Sequence, residues 1–318
     1  MNVPEAVRND LTGCVFRMQV GYDTDGCMHD NVAQAWRKCE NKWYQGGKKR
    51  WDGASADDDG MLGGLTQVHN VDVAHTGRFL DAIEFRQRQR CVDLGGGIGR
   101  VASSVLVPRF QQVDLVDATP HFVEKAKQSH GDKLHLVQCQ PMQDFAPPAN
   151  TYDLVFIQWA CDFIRDSDII SLLQRCVTAL KPGGRVVIKD NHVCSGSGGF
   201  FLDLTESSML RTVRHLRRLF ASVPGLRIVR SELQTDLSDD LHPVRCWELA
   251  RAEDMPSETV EVNPQEHAHW CAQSHDQMLR CALSRLSLNS EAELTVQAAA
   301  LVPEDSSDGD YDSDSDDE

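Results

Sequence analysis

Between residues 91 and 188 the chain alternates two apolar patterns. Short runs, Cys91–Leu94, Val113–Val116, Leu134–Val137, Leu154–Ile157 and Val186–Ile188, read as buried strands. Helical spacing separates them near Arg100–Pro108, His121–Ser129 and Ser167–Leu180. Such alternation predicts βαβ units, hence an α/β fold with a parallel sheet and helices on both faces. Pro120 suits the first turn of its helix and makes Thr119 the expected N-cap. A helix around Ser208–Ala221 and strands near Leu226–Val229 and Val244–Leu249 complete the pattern. Upstream, Val32, Trp36, Cys39 and Trp43 share one helical face, which predicts an amphipathic helix over Asn31–Trp51. Residues 57–64 read as a glycine-rich turn, and a helix follows over Val73–Arg88.

Composition narrows the organisation. With 318 residues, 41% of them hydrophobic, the chain can form one large domain with extensions. The expected division is an N-terminal extension over 1–30, the domain over 31–251, a partly helical extension over 252–303 and an acidic tail over 304–318. That tail is a block of like charge with almost nothing apolar, so disorder is expected there. The net charge of −16 argues against a phosphate-binding surface, so no nucleic-acid partner is expected; an acidic body suits a cationic one. No stretch reaches the roughly 18 apolar residues of a membrane span, and the first residues lack a basic segment leading into an apolar one. The eleven cysteines include no CxxC pair, which fits reduced thiols in the cytosol or nucleus. His267, Cys271 and His275 are metal-ligand types at helical spacing, but a single such group is thin, and no metal is expected.

The first strand runs straight into Gly95-Gly96-Gly97-Ile98-Gly99-Arg100. A glycine turn between strand and helix lets a ligand approach the backbone closely, at Gly95 and Gly97 above all. Alone the motif leaves a dinucleotide site open. Asp117 closes the second strand, where an acid meets ribose hydroxyls, and Met142-Gln143-Asp144 follow the third, where an adenine edge would lie. With Leu180-Lys181-Pro182-Gly183-Gly184 before the fifth strand, these features resemble the class I methyltransferase pattern. That resemblance implies a Rossmann-like, mostly parallel seven-stranded sheet with S-adenosyl-L-methionine as cofactor and S-adenosyl-L-homocysteine as product. In it Gly95, Gly97, Arg100, Asp117, Met142, Gln143 and Gln158 hold the cofactor. Arg100 pairs with its carboxylate, since guanidinium matches that group bidentately.

More specific segments occur in order: Asp59-Gly60-Met61-Leu62-Gly63-Gly64, Ile157-Gln158-Trp159, Ile188-Lys189-Asp190-Asn191 and Leu202 to Ser208. The combination, from about Trp43 to Arg251, resembles the protein α-N-terminal methyltransferases, which modify chains beginning Xaa-Pro-Lys or Xaa-Pro-Arg. The resemblance implies that Asn191 fixes the peptide backbone near the amine and that Asp203 and Ser208 hold the third-position cation. It also implies that Leu62 and Trp159 wall the proline and that Trp51 helps cover the cofactor. Two positions depart from the family: Phe163 stands where a histidine is expected, and Glu206 where an aspartate is. We therefore expect Glu206 to take the amine proton, with Asp162 adding negative potential. Other readings stay open: a methyltransferase for a small molecule or another nucleophile, and a non-catalytic adaptor that Phe163 keeps in play. A monomer is expected.

Overall fold

The computed structural model describes residues 20–25, 27–29, 31–39, 42–193, 199–238 and 241–255. The helical pattern at His267–Leu286, the group at His267, Cys271 and His275, and the acidic tail lie outside the described residues.

Seven strands form the main sheet: β3 (Arg90–Leu94), β4 (Gln112–Asp117), β5 (Leu136–Cys139), β6 (Tyr152–Gln158), β7 (Leu180–Asn191), β10 (Leu226–Gln234) and β11 (Val244–Arg251). Their order is β10-β11-β7-β6-β3-β4-β5. The pairs among β3 to β7 are parallel, whereas β11 runs antiparallel to both neighbours. The chain builds outward from β3 to β5 and then crosses back to β6. That reversal opens a crevice at the carboxyl ends of β3 and β6, where open α/β sheets bind ligands.

Every residue of β6 is buried, as expected for a strand covered on both faces. Val92, Leu94, Val155 and Ile157 join one apolar cluster with α6 (Asp166–Ala179) and α7 (Val213–Ala221). Cys91, Leu154 and Phe156 join the other, with Phe79 and Leu80 of α4 (His69–Asp81). The two-residue period of a strand makes this alternation, so the continuous apolar runs in the sequence feed two cores.

A second sheet has the order β2-β1-β8-β9, from β1 (Val20–Asp23), β2 (Met28–His29), β8 (Gly199–Asp203) and β9 (Ser208–Leu210). β1 lies parallel to β8 despite a separation of most of the domain. Residues 20–25 and 27–29 are therefore part of the folded body, although their sequence shows no pattern.

Local differences from the sequence expectations have physical causes. The helix expected over Asn31–Trp51 is two helices, α1 (Val32–Cys39) and α2 (Trp43–Asp52), whose tryptophans Trp36 and Trp43 meet edge to face at 4.8 Å. The turn over 57–64 contains a short helix, α3 (Asp58–Leu62). Its N-cap Asp57 accepts from the Gly60 N–H at 2.9 Å, and Gly63 closes it at φ 56°. α4 stops at Asp81, where the Arg88 guanidinium donates to the carbonyls of Leu80 and Ile83. Ser208 begins a strand and not a helix; Thr212 caps α7 instead, accepting from the His215 N–H at 3.0 Å. α5 (Pro120–His130) starts as expected at Thr119, but that side chain makes no capping bond.

Candidate active site

Three glycines after β3 adopt positive φ: Gly95 at 75°, Gly97 at 55° and Gly99 at 85°. A β-carbon on Gly95 would sit 2.6 Å from Ala160 Cβ, and one on Gly97 2.6 Å from Met61 Sδ. Both conformation and space demand glycine at these two positions. Asp117, at the end of β4, accepts from the Gly97 N–H at 2.9 Å and the Thr119 N–H at 2.8 Å. Burial raises its carboxyl above the ordinary range, and those two donors oppose the shift. Met142 is buried beside Gly95, and the Gln143 carbonyl accepts from Arg175 at 2.5 Å. Asp93, two residues before the glycine turn begins, has its Oδ2 buried without a hydrogen-bond partner among the described residues. Burial lifts that carboxyl to about 7.

Arg100 follows the glycine turn and is buried. Its Nη2 lies 2.8 Å from Asp72 Oδ2, while its buried Nη1 has no hydrogen-bond partner among the described residues. Gln158 donates to both oxygens of Asp72 at 2.9 Å and accepts from Thr76 at 3.2 Å. The amide expected to meet the cofactor is thus committed to α4. Lys189, opposite Gln158 on the neighbouring strand, donates to Asp72 Oδ1 at 2.5 Å and Thr76 at 2.9 Å. Trp159 takes φ 52°, a left-handed conformation that non-glycine residues seldom adopt. Its ring faces Arg100 at 5.4 Å and Lys189 at 5.9 Å, and its indole N–H is buried without an acceptor.

The acceptor side is built from other elements. Asp203 at the end of β8 stands directly opposite Ser208 at the start of β9. Opposed residues of an antiparallel pair project from the same face, so this hydroxyl and carboxylate share one surface. The Asp203 carboxylate also accepts from the Thr205 and Glu206 N–H groups at 2.9 and 2.8 Å, which shapes the turn. Helix α2 packs against that turn: a β-carbon on Gly46 would lie 2.2 Å from Ser207 Oγ. From α2, the Arg50 guanidinium pairs with Glu206, and the Trp51 ring meets Phe163 edge on at 5.0 Å. Leu62 is buried at the end of α3, and Asn191 closes β7 half-exposed.

Asp162 does not behave as expected. It is 4% exposed, and burial beside Asp190 holds its carboxyl well above the ordinary range. Burial thus favours its protonated form, which makes it a weaker source of negative potential than an exposed carboxylate. Asp190, raised to about 6 by burial, accepts from the Cys161 and Asn191 N–H groups at 2.9 and 3.1 Å. Beneath this pair Arg211 is wholly buried, donating to Asp166 at 2.8 Å and to the carbonyls of Cys161 and Ile164 at 3.0 and 2.7 Å. Asp166 also faces His215 at 2.9 Å. Arg211 thereby fixes the turn that carries Asp162 and Phe163. Sequence reasoning missed Asp72, Lys189, Asp190 and Arg211 as site-forming residues. Asp72 and Arg211 stand in unremarkable stretches, whereas Lys189 and Asp190 belong to a recognised motif and were legible there.

A sheet of this order with a glycine turn at its switch point is the class I methyltransferase fold. Its rim suits S-adenosylmethionine: Gly95 and Gly97 admit no side chain, Asp117 closes β4, and Arg100 keeps one buried N–H group free for a carboxylate. A family model described as AdoMet-dependent proline di-methyltransferase matches residues 39–250. The chain belongs to that family and is an S-adenosylmethionine-dependent methyltransferase. It is 30% identical over 270 residues to alpha N-terminal protein methyltransferase 1 of Arabidopsis thaliana, covering 78% of this chain and 93% of that one. It is 33% identical over 218 residues to N-terminal Xaa-Pro-Lys N-methyltransferase 1 of Homo sapiens, covering 66% and 96%. The solved structure of a SAM-dependent methyltransferase of Leishmania major superposes with a TM-score of 0.69 at 29% identity, covering 73% and 96%.

Proposed function

We propose that the protein methylates the α-amino group of proteins whose chains begin Xaa-Pro-Lys or Xaa-Pro-Arg. The observation that carries this reading is the opposition of Asp203 and Ser208, a carboxylate and a hydroxyl on one face of the second sheet. A small-molecule methyltransferase needs no such pair. The names of the relatives from Arabidopsis thaliana and Homo sapiens support the same substrate class.

The cofactor supplies an electrophilic methyl group on a sulfonium. The chain must bind the peptide, orient its nitrogen and remove a proton, because an α-amine has a pKa of about 7.7–8.0 and only the neutral form attacks. Asn191 holds the peptide backbone, and Asp203 with Ser208 holds the third side chain through charge-assisted hydrogen bonds. Leu62 and Trp159 wall the stiff proline, which loses little entropy on binding. Phe163 can accept no proton, so that task falls to Glu206. Arg50 pairs with Glu206 Oε2, so the carboxylate must share or release this contact to take the amine proton. The acidic chain attracts such cationic substrates. The cysteines among the described residues are free, which suits a monomer working in the cytosol or nucleus.

The test uses labelled cofactor with peptides beginning Ser-Pro-Lys, Ser-Gln-Lys and acetyl-Ser-Pro-Lys. Transfer to the first alone is expected. Equal transfer to the acetylated peptide would sink the proposal, since its nitrogen is blocked.

A further inference from the structure

Arg100, Gln158 and Lys189 come from three separate elements, and all donate to one buried carboxylate, Asp72. We infer that Asp72 and Lys189 are positioning residues for Arg100, and that together they make the methionine end of the cofactor site selective for a carboxylate. The inference rests on the cofactor being S-adenosylmethionine.

Formal charge gives the first argument. Two cations share one carboxylate, and Arg100, Lys189 and Asp72 are all buried, which leaves one positive charge over. A buried charge without a counter-charge is costly, so an anion is the natural complement. The Trp159 ring, facing both cations, offsets only part of that cost. Asp93 lies in the field of Arg100, but its Oδ2 has no hydrogen-bond partner, and burial raises it to about 7. At neutral pH it therefore supplies the missing anion only in part.

Geometry gives the second. Burial alone would raise the Asp72 carboxyl, but Lys189 and Arg100 more than offset that and hold it below the ordinary range. Carboxylates and guanidinium groups prefer to pair bidentately, through two parallel N–H···O bonds. Here they do not: Lys189 at 2.5 Å and Gln158 at 2.9 Å both donate to Asp72 Oδ1, which fills its two lone pairs, and Arg100 Nη2 meets Oδ2 at 2.8 Å. The consequence is the free, buried Nη1 of Arg100. Lys189 thus keeps half of the fork open for an incoming carboxylate. Without it, an acceptor position on Oδ1 is open to Arg100 Nη1, and Asp72 can close both nitrogens into a neutral pair, with Gln158 still in place. Thr76, which accepts from Lys189 at 2.9 Å, holds the ammonium in place.

The decisive measurement is calorimetric binding to the full chain of two nucleosides, S-adenosylhomocysteine and 5′-methylthioadenosine. The second lacks the amino-acid end. Lys189→Met should weaken S-adenosylhomocysteine binding about tenfold or more and change 5′-methylthioadenosine binding less than about twofold. A merely structural role would weaken both in parallel, and either that result or no change in either overturns the inference. Thr76→Val is the milder variant in case Lys189→Met fails to fold. It should show the same selectivity at about threefold, and equal effects on both nucleosides would again overturn the inference. Wild-type protein that binds neither nucleoside would overturn the cofactor assignment itself, whereas normal wild-type binding with parallel losses overturns only the roles of Asp72 and Lys189.

Discussion

The two sides of the site are built from different material. On the cofactor side, Asp117, Gln158 and Lys189 stand on strands of the parallel sheet, are buried, and each makes at least two hydrogen bonds. On the acceptor side, Asp203, Glu206 and Ser208 belong to a hairpin of the small second sheet, with helix α2 laid against its turn. Their side chains are partly exposed, and Glu206 is tied only by one ion pair, which contributes little when half-exposed. Interlocked buried groups tolerate few changes, whereas a partly exposed turn can exchange residues at small cost to the fold. The departures from the family pattern, Phe163 and Glu206, both lie on the acceptor side.

If that contrast is right, the largest loss from a single change should follow damage to the interlocked side. Asp117→Ala removes the acceptor proposed for the ribose hydroxyls and the acceptor of the Gly97 and Thr119 N–H groups. Each hydrogen bond to a charged group contributes about 1.5–3 kcal/mol, so affinity for S-adenosylhomocysteine should fall at least about hundredfold. Calorimetry measures this directly. A loss below about threefold would mean that Asp117 is only a turn former.

The next effect should come from the proton acceptor. Glu206→Gln should lower kcat/KM on a Ser-Pro-Lys peptide about hundredfold, the usual scale for a positioned base, and leave S-adenosylhomocysteine affinity unchanged. Asp162→Asn should cost less than about threefold, because burial beside Asp190 already favours the protonated form of the carboxyl it replaces. Equal, mild losses for the two variants would hand the proton to solvent and reduce the acceptor side to positioning.

Legibility in the sequence follows the same division. The strands carrying Asp93, Asp117 and Gln158 announce themselves, since strands buried on both faces are unbroken apolar runs. The glycine turn is legible because its backbone admits no other residue. The partnership of β1 with β8 is not, because register between distant strands is set by tertiary packing and leaves no local period. Buried charge is hidden for a different reason: Asp72 and Arg211 look like surface residues of amphipathic helices and loops until their partners are placed around them. The misreading of Asp162 has that origin too. A carboxylate beside Phe163 reads as a source of negative charge, and only the folded structure shows the burial against Asp190 that favours its protonated form.

A smaller effect should separate recognition of the substrate from recognition of the cofactor. Asp203→Asn keeps an acceptor for the Thr205 and Glu206 N–H groups and removes the charge. KM for a Ser-Pro-Lys peptide should rise about thirtyfold, within the range of charge-assisted hydrogen bonds, with little change for a peptide bearing norleucine third. If both peptides suffer alike, Asp203 shapes the turn and does not read the cation.

The smallest effect concerns stability and belongs to the buried side alone. Asp93 has its pKa raised from 3.8 to about 7, chiefly by burial. A raised value means that the folded state holds its proton more tightly than the unfolded chain. The resulting stabilisation is complete below about pH 4, and it declines as pH rises towards and through about 7. Between pH 6 and 8 the contribution of this group falls by about 1 kcal/mol, or about 2–4 °C in melting temperature for a domain of this size. Asp162 and Asp190 shift in the same direction, so the wild type should lose more than this one group gives. Asp93→Asn should remove its share, flattening the dependence of melting temperature on pH by those few degrees. Ser208→Ala, on the exposed side, should leave the slope as it is. A slope unchanged by Asp93→Asn would place the pH-dependent stability elsewhere, with the Asp162–Asp190 pair the next group to test.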